Sequence, residues 1–268
     1  MNKLQRNLIR DLVTSKSLFL AVAIVILLGV AIFDASSIGY QNLKSSYDYS
    51  YETLRFADFT VKVVEAPSET TDELKSLPGV EAVTGRINTD IPITLPGDEK
   101  KRVLVRAITL PSDFRPEVND VKVEQGYYFQ SDESNVLLVE RNFAEYHELN
   151  PEDTVLLTVD NQEVAFKVAG IVTSPEYIWP AKSRQELLVS PESFGVIFIS
   201  EDTMASLTGD SVINEFCVIV DEGADRAAVI EEAEAILAPY GIKEVVPAEQ
   251  QPSNAALSID IQEMGNMA

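Results

Sequence analysis

Residues 17–33 read SLFLAVAIVILLGVAIF, a run of seventeen residues without a charged side chain. A helix rises about 1.5 Å per residue, so this run spans roughly 25 Å. Its continuation to Ile38, past the single Asp34, reaches the roughly 30 Å of a bilayer's hydrocarbon core. The sequence therefore predicts a transmembrane helix over residues 17–38, and the parts on either side are interpreted from it.

Two other structures produce a similar run: a cleaved signal peptide and a buried core helix. A signal peptide has a short basic leader and a short apolar run that ends in small residues. Here the leader is sixteen residues long and contains Asp11, and the candidate cleavage site near Ala35-Ser36-Ser37 follows an acid. An uncleaved membrane anchor is the preferred interpretation, and the two alternatives stay open.

Basic residues precede the predicted membrane helix. They are Lys3, Arg6, Arg10 and Lys16, against the single acid Asp11, and no comparable cluster follows the helix. Because Lys and Arg are enriched on the cytoplasmic flanks of membrane helices, residues 1–16 are predicted to be a cytoplasmic segment. The chain from about Asp34 onward is then predicted to lie outside the cytoplasm, anchored in the cell membrane.

The part of the chain that follows the apolar run is strongly acidic. The whole chain has a formal net charge of −22, and residues 1–33 hold four basic residues and one acid. The remainder carries 17 Lys and Arg against 42 Asp and Glu, a net charge of −25. Such a charge repels nucleic acid and anionic headgroups, so no nucleic-acid partner is expected. Solubility of an external domain explains it most simply.

Few side chains are available for catalysis or metal binding. Cys217 is the single cysteine, and its apolar surroundings, EFCVIVD, indicate a buried strand. His147 is the single histidine and has no second His or Cys nearby in the sequence, so a surface helix end is expected. The sequence contains no nucleophile elbow and no phosphate-binding glycine loop. It predicts neither an enzyme nor a cofactor or metal site.

Residues 39–56 are predicted to continue the membrane helix as a stalk. Apolar residues recur there at spacings of four, four and three, which places Leu43, Tyr47, Tyr51 and Leu54 on one helix face. Residues 253–268 show helical spacing again, with Ser253 as N-cap and Ile259 and Met264 among the apolar positions. These residues are candidates for stalk coupling. Residues 253–268 are predicted to start a return helix that is cut before a further membrane helix.

Between the two stalk segments the pattern predicts an α+β fold. FTVKVV, SETTDELKS and VEAV form one strand-helix-strand unit, and INEFCVIVD, DRAAVIEEAEAILAPYG and IKEVVP form a second. In each unit the helix ends at a glycine, Gly79 or Gly241. Two such units predict a split ferredoxin-like subdomain over residues 57–95 and 194–250. A β-rich subdomain and loop are inserted at about 96–193, within a core domain of residues 57–252.

Residues 174–194 contain three prolines and are predicted to form a long ordered loop. Tyr177, Ile178 and Trp179 are expected to be exposed there. Because loops of this length are usually functional or disordered, these three residues are candidate contact residues.

The order of these parts resembles the permease subunits of FtsX-like, MacB-type ABC transporters. The stretches that carry the resemblance are RNLIRDLVTSKSLFLAVAIVILLGVAIF, FTVKVVEAP with LKSLPGVEAVTGRI, QGYYFQ, NVLLVERNFAEYHELNPEDTVLLTV and VAFKVAGIVTSPEYIWP. The resemblance implies an extracytoplasmic core domain moved by ATP hydrolysis in a separate ABC ATPase subunit. It also implies contact with membrane lipid and a partner that is a second permease half or another copy of the chain. It does not indicate the substrate.

The function predicted in this way is the coupling of ATP hydrolysis to an extracytoplasmic conformational change or to substrate export. The alternative is a single-pass, membrane-anchored sensor or binding ectodomain without a transport role. The family's further membrane helices and its nucleotide-binding domain are missing from this sequence, so the chain by itself is not expected to transport anything. Further apolar runs of about 20 residues in the reading frame would favour the permease.

Overall fold

A computed structural model describes residues 16–97, 102–130, 133–159, 162–179, 181–182, 186, 189–209 and 212–267. The predicted cytoplasmic segment therefore lies, apart from Lys16, outside the described residues. The described chain divides into two compact units, residues 16–48 with 258–267, and residues 49–257.

The elements in chain order are α1 Lys16–Thr53, β1 Phe59–Ala66, α2 Thr70–Lys75, β2 Val80–Arg86, β3 Asn88–Thr94, β4 Arg102–Leu110, β5 Lys122–Gly126, β6 Val136–Glu140, α3 Arg141–Tyr146, β7 Thr154–Val159, β8 Gln162–Thr173, β9 Phe194–Ser200, α4 Glu201–Thr208, β10 Ile213–Val220, α5 Arg226–Leu237, β11 Ile242–Pro247 and α6 Pro252–Met267. Three-residue 3-10 turns lie at Pro175–Tyr177, Ala238–Tyr240 and Ala248–Gln250.

Helix α1 is continuous over 38 residues and includes the whole apolar run. Within the described part of the chain it is the one helix that is long and apolar enough to cross a membrane. It ends where Arg55 adopts a left-handed backbone, φ +52°, and where the N–H of Phe56 donates to the carbonyl of Tyr51 at 2.9 Å. This hydrogen bond, from residue i+5 back to residue i, closes the last turn as in a Schellman motif. The predicted membrane helix and stalk are therefore parts of a single helix.

The first sheet has four strands in the order β11-β1-β10-β2, and all neighbours are antiparallel. The connections β1-α2-β2 and β10-α5-β11 make two β-α-β units, which with this strand order is the ferredoxin-like arrangement. Its core is apolar and includes Phe59, Leu74, Phe216 and Leu237. The predicted split ferredoxin-like subdomain is confirmed, and Gly79 and Gly241 have the positive φ expected of glycines that end helices.

The second sheet has seven strands in the order β5-β8-β6-β9-β4-β3-β7. Strand β8 also pairs with β7, so six of the strands close into a ring and β5 lies outside it on β8. One cluster of buried residues includes Ile93, Val105, Leu137 and Phe166, and a second includes Leu138 and Phe198. Neighbouring residues of β6 thus belong to different clusters, because successive side chains of a strand point to opposite faces. This is the β-rich insert that the sequence predicted.

The predicted limits of the ferredoxin-like part, 57–95 and 194–250, do not coincide with the sheets. Strand β3 pairs with β4 and β7, and β9 pairs with β4 and β6, so both belong to the seven-stranded sheet. Only Ile87 separates β2 from β3, so the sequence gives no break where the chain changes sheet. The four-stranded sheet ends at Arg86 and resumes at Ile213.

Helix α6 begins at Pro252, close to the predicted start of the return helix. Its N-terminal cap differs from the prediction. The backbone N–H of Asn254 donates to the Gln251 side chain at 2.8 Å, whereas the Ser253 hydroxyl accepts from the backbone N–H of Trp179 at 2.9 Å. Ser253 therefore binds a neighbouring segment instead of its own helix.

Candidate functional site

Arg86, the last residue of β2, is 2% exposed. Its Nη1 and Nη2 atoms donate to the two carboxylate oxygens of Glu176 at 2.7 and 2.6 Å. Its Nε atom donates to Oε2 of Glu215 at 2.6 Å. Arg86, Glu176 and Glu215, all buried, are called the Arg86 cluster below. Two-point pairing of this kind fixes the orientation of both partners.

The cluster joins the two sheets. Glu215 lies on β10 directly opposite Arg86, so this pair is internal to the four-stranded sheet. Glu176 lies in the 3-10 turn that follows β8 of the seven-stranded sheet, and the N–H of Glu176 donates to the Ser174 hydroxyl at 3.3 Å. The ion pair between Arg86 and Glu176 is consequently a buried bond between the ferredoxin-like part and the β-rich part.

The cluster holds one cation and two carboxylates, and a neutral donor outside it binds one of these carboxylates. The side-chain Nδ2 of Asn88 donates to both oxygens of Glu215, at 3.1 and 3.0 Å. Burial opposes the charge of Arg86, but the neighbouring acidic groups hold the pKa of Arg86 above its ordinary value. Burial likewise raises the pKa of Glu215, yet Arg86 and Lys62 outweigh it and leave that pKa lowered. Both groups therefore stay charged in the interior.

Glu176, Glu215 and Cys217 present three ligand atoms within 4.8 Å of one another, a spacing that suits a metal ion. Two observations argue against that use. The Arg86 guanidinium already binds both carboxylates, and burial raises the pKa of the Cys217 thiol well above its ordinary value, so that sulfur stays protonated. Metal binding needs a thiolate. The residues fit a structural ion cluster better than a metal centre.

The turn that carries Glu176 also holds the start of α6. The Gln251 side chain donates through Nε2 to the carbonyl of Glu176 at 2.8 Å. Three residues after Glu176, the N–H of Trp179 donates to the Ser253 hydroxyl at 2.9 Å. The segment of residues 174–179 thus binds Arg86 on one side and the first turn of the return helix on the other.

The three predicted loop residues lie in this segment but are not exposed. Tyr177 is 5% exposed and packs in the apolar core of the seven-stranded sheet, while Ile178 and Trp179 are half-buried. The proline-rich composition that suggested an exposed loop instead provides a 3-10 turn with Pro175 at its start. For Tyr177 the structure corrects the expectation of exposure.

The predicted stalk residues are only partly described. Leu54 is buried, Tyr47 and Tyr51 are half-buried, and the Tyr51 ring meets the Phe56 ring edge-on with centroids 4.2 Å apart. Leu43, Ile259 and Met264 have helical backbones, but their side chains lie outside the described part. The pairing of the two stalk segments stays a prediction.

Sequence reasoning missed the Arg86 cluster. The signal available was a lone charge inside an otherwise apolar strand: Glu215 stands between Ile213 and Phe216 in a strand that is mostly buried. Lys, Arg, Asp and Glu are almost never fully buried unless paired. In so acidic a chain, however, the pattern does not single out the partners.

Comparison with known proteins identifies the family. The sequence profile of the MacB-like periplasmic core domain matches residues 14–236, and comparison with curated proteins gave no match. Among solved structures, the extracellular domain of the noncanonic ABC-type transporter YknZ from Gram-positive bacteria is 13% identical, with 69% of this chain and 96% of that chain covered and a TM-score of 0.47. The periplasmic region of MacB from Actinobacillus actinomycetemcomitans is 14% identical, with 78% and 96% covered and a TM-score of 0.46. On the profile match, the chain belongs to the MacB-like periplasmic core domain family of ABC transporter permeases.

Proposed function

We propose that this chain is the membrane-anchored, extracytoplasmic part of an FtsX/MacB-type permease. In this proposal ATP hydrolysis in a separate ABC ATPase subunit drives a conformational change of the core domain, or substrate export, through the membrane helix. The N-terminus lies in the cytoplasm, α1 contacts membrane lipid, and a second permease half or another copy of the chain completes the assembly. The observation that carries the proposal is the continuity of α1.

A continuous helix transmits displacement along its axis. Helix α1 has 38 residues, a length of about 57 Å at 1.5 Å per residue. Roughly half of that length is needed for the hydrocarbon core, and the other half continues to the core domain. No proline or loop interrupts α1 between Lys16 and Thr53, and this continuity supports the proposal that movement at one end reaches the other.

The end of α1 is fixed to the domain that it would move. The N–H groups of Asn119 and Asp120 donate to the carbonyls of Arg55 and Leu54, each at 2.9 Å. In return, the N–H of Ala57 donates to the Asn119 side chain at 2.8 Å. These bonds satisfy carbonyls that a helix end leaves open, so they both cap the helix and attach it to residues 119–120.

The start of α6 is attached separately, through residues 174–179 and the Arg86 cluster. We therefore expect a force transmitted along α1 or α6 to act on both the β-rich part and the ferredoxin-like part. We propose further that residues 39–56 pair with residues 253–268 as antiparallel helices. In this pairing Leu43, Tyr47 and Tyr51 face Ala256, Ile259 and Met264.

Breaking the continuity of α1 tests the coupling. Ser46→Pro removes a helical hydrogen bond in the stalk and should cost about 3 kcal/mol of helix stability, whereas Ser46→Ala keeps the helix intact. In the full-length protein with its ATPase, we expect the proline variant to lose stimulated ATP hydrolysis or transport. Near-UV circular dichroism should show an unchanged core domain in both variants.

A cysteine scan between residues 39–56 and 253–268 tests the helix pairing in the same protein. Antiparallel pairing predicts disulfides whose positions run in opposite directions along the two segments. If no pair crosslinks, and if Ser46→Pro couples as well as Ser46→Ala, the stalk is not a coupling device. The membrane-anchored sensor or binding ectodomain would then be the better interpretation.

A further inference from the structure

A cleft of about 470 Å³ lies where the chain passes from one sheet to the other. One wall is formed by α2 and β2, and the other by residues 111–117 and the first turn of α4. Arg86 and Ile87, which connect the two sheets, contribute to its lining. A volume of this size is typical of sites for small molecules.

The cleft has a mixed polar and apolar lining, and its apolar part includes one prominent aromatic side chain. Phe114 is 63% exposed, whereas the phenylalanines of both sheets are buried. Val83, Pro111 and Ile213 supply further apolar surface. An exposed phenylalanine within a concave surface gains free energy when a ligand covers it, at roughly 25 cal/mol per Å² of apolar area removed from water.

The charges along the cleft are unbalanced. The cation Lys75 is already bound by both carboxylate oxygens of Glu117, at 2.8 and 2.7 Å, and Arg86 is taken up in its cluster. Three carboxylates in the lining have no ion-pair partner in the described part of the chain; they are Asp72, Glu201 and Asp202. The lining groups that are not ion-paired therefore give the cleft a net negative charge.

Glu201 and Asp202 are the best-placed pair of these acids. Asp202 accepts a hydrogen bond from the Ser112 hydroxyl at 2.6 Å, which fixes it to the 111–117 segment of the same wall. Partial burial and the neighbouring charge of Asp202 raise the pKa of Glu201. A bound cation would relieve both effects, because it replaces lost hydration and offsets the repulsion between the two carboxylates.

We propose that this cleft binds a small organic cation, whose ammonium, amidinium or guanidinium group lies against Glu201 and Asp202 and whose apolar body covers Phe114. Size, exposed aromatic surface and charge favour this ligand over an anion or a neutral polyol. The net charge of −25 on the chain beyond residue 33 raises the local concentration of such cations. The site spans both parts of the domain, so its occupant would contact both.

Glu201 and Asp202 also stand in the first turn of α4, where acids stabilise the helix dipole. The test must therefore read out binding rather than stability. Benzamidine combines an amidinium with an aromatic ring, and benzamide has nearly the same shape without the charge. Both can be titrated into the full chain in a neutral detergent, with saturation-transfer NMR and calorimetry as readouts.

We expect benzamidine to bind and benzamide to bind at least about tenfold more weakly, since one charged hydrogen bond of this kind contributes on the order of a tenfold change in affinity. Phe114→Ala and the double variant Glu201→Gln/Asp202→Asn should each weaken benzamidine binding about tenfold. Matched controls are Tyr146→Ala, another exposed aromatic, and Glu231→Gln/Glu232→Gln on the exposed face of α5. These should leave the affinity unchanged.

Equal affinities for benzamidine and benzamide would overturn the proposal, as would benzamidine binding that survives both cleft variants. Failure of the wild-type chain to bind benzamidine at millimolar concentration would also overturn it. None of these measurements involves ATP hydrolysis, so their outcome is independent of the coupling test with Ser46→Pro.

Discussion

A guanidinium that is 2% exposed has lost nearly all its hydration, and Arg86 is tolerated in the interior because three hydrogen bonds to two carboxylates replace that hydration. Buried ion pairs of this type add little net stability over an apolar core, but removal of one partner leaves an uncompensated charge. The effect of the cluster on the free energy of unfolding is therefore large only when one of its partners is removed.

Arg86→Met should destabilise the core domain by about 3–5 kcal/mol, because Glu176 and Glu215 would remain buried without a cation. The matched control is Arg102→Met, whose ion pair with Glu163 is 58% and 45% exposed and should contribute about 0–1 kcal/mol. Urea unfolding of the full chain in detergent, monitored by tryptophan fluorescence, measures the loss of stability in both variants. Similar losses in the two variants would show that the Arg86 cluster has no special role.

Residue-level prediction worked where the signal was local. The burial of Cys217 followed from the apolar residues beside it, and the positive φ of Gly79 and Gly241 from their position after a helix. The Arg86 cluster had no such signal, because Arg86 lies 90 residues from Glu176 and 129 residues from Glu215 in the sequence. Only the strand pairing brings these charges together.

At the scale of elements, helix α3 is capped by a buried acid. Glu140 accepts from the N–H groups of Asn142 and Phe143 at 2.9 and 3.2 Å, and from the Asn142 side chain at 2.9 Å. It is 3% exposed, and burial raises its pKa to about 7 although the three donors oppose that change. Folding therefore favours the protonated form of this cap.

The sign of the resulting pH dependence follows from linkage. Since the folded-state pKa lies above the unfolded value of about 4.5, the folded state binds more protons between these two pH values. The stabilising contribution of Glu140 is complete below pH 4.5 and is lost as the pH rises through 7. Between pH 5 and 8 the wild type should lose about 2 kcal/mol more than Glu140→Gln.

Urea unfolding of both proteins at several pH values isolates this effect, because all other acids titrate equally in the two chains. Parallel stability curves for wild type and Glu140→Gln would show that the three donors keep this carboxylate ionised. The helix cap would then be a simple charged N-cap without a pH response.

The elements themselves were largely predictable, whereas their membership in sheets was not. The periodicity of α5 and the strands beside it indicated a β-α-β unit, and the observed strand order β11-β1-β10-β2 is the ferredoxin-like one. Strands β3 and β9 were placed in the wrong sheet, because their apolar pattern reports burial but not the partner strand. Ser253 was expected to cap α6, but its hydroxyl binds Trp179, a contact across 74 residues.

For the molecule as a whole, charge and hydrophobicity together predict the orientation in the membrane. Four basic residues precede the apolar part of α1, and a net charge of −25 follows it. Translocating the basic flank would be opposed by the membrane potential, and cytoplasmic retention of Lys and Arg is the general rule. The acidic core domain is thus expected on the outer side.

A membrane-impermeant thiol reagent tests this orientation in intact cells. Glu231→Cys places a thiol on the exposed face of α5 and should be labelled, whereas Gln5→Cys should be labelled only after permeabilisation. Native Cys217 should not be labelled in either variant, because it is fully buried and its raised pKa keeps the thiol protonated and unreactive. Labelling of Gln5→Cys but not of Glu231→Cys in intact cells would reverse the topology. An ATPase on the cytoplasmic side would then lie on the side of the core domain, and movement along α1 would no longer connect the two.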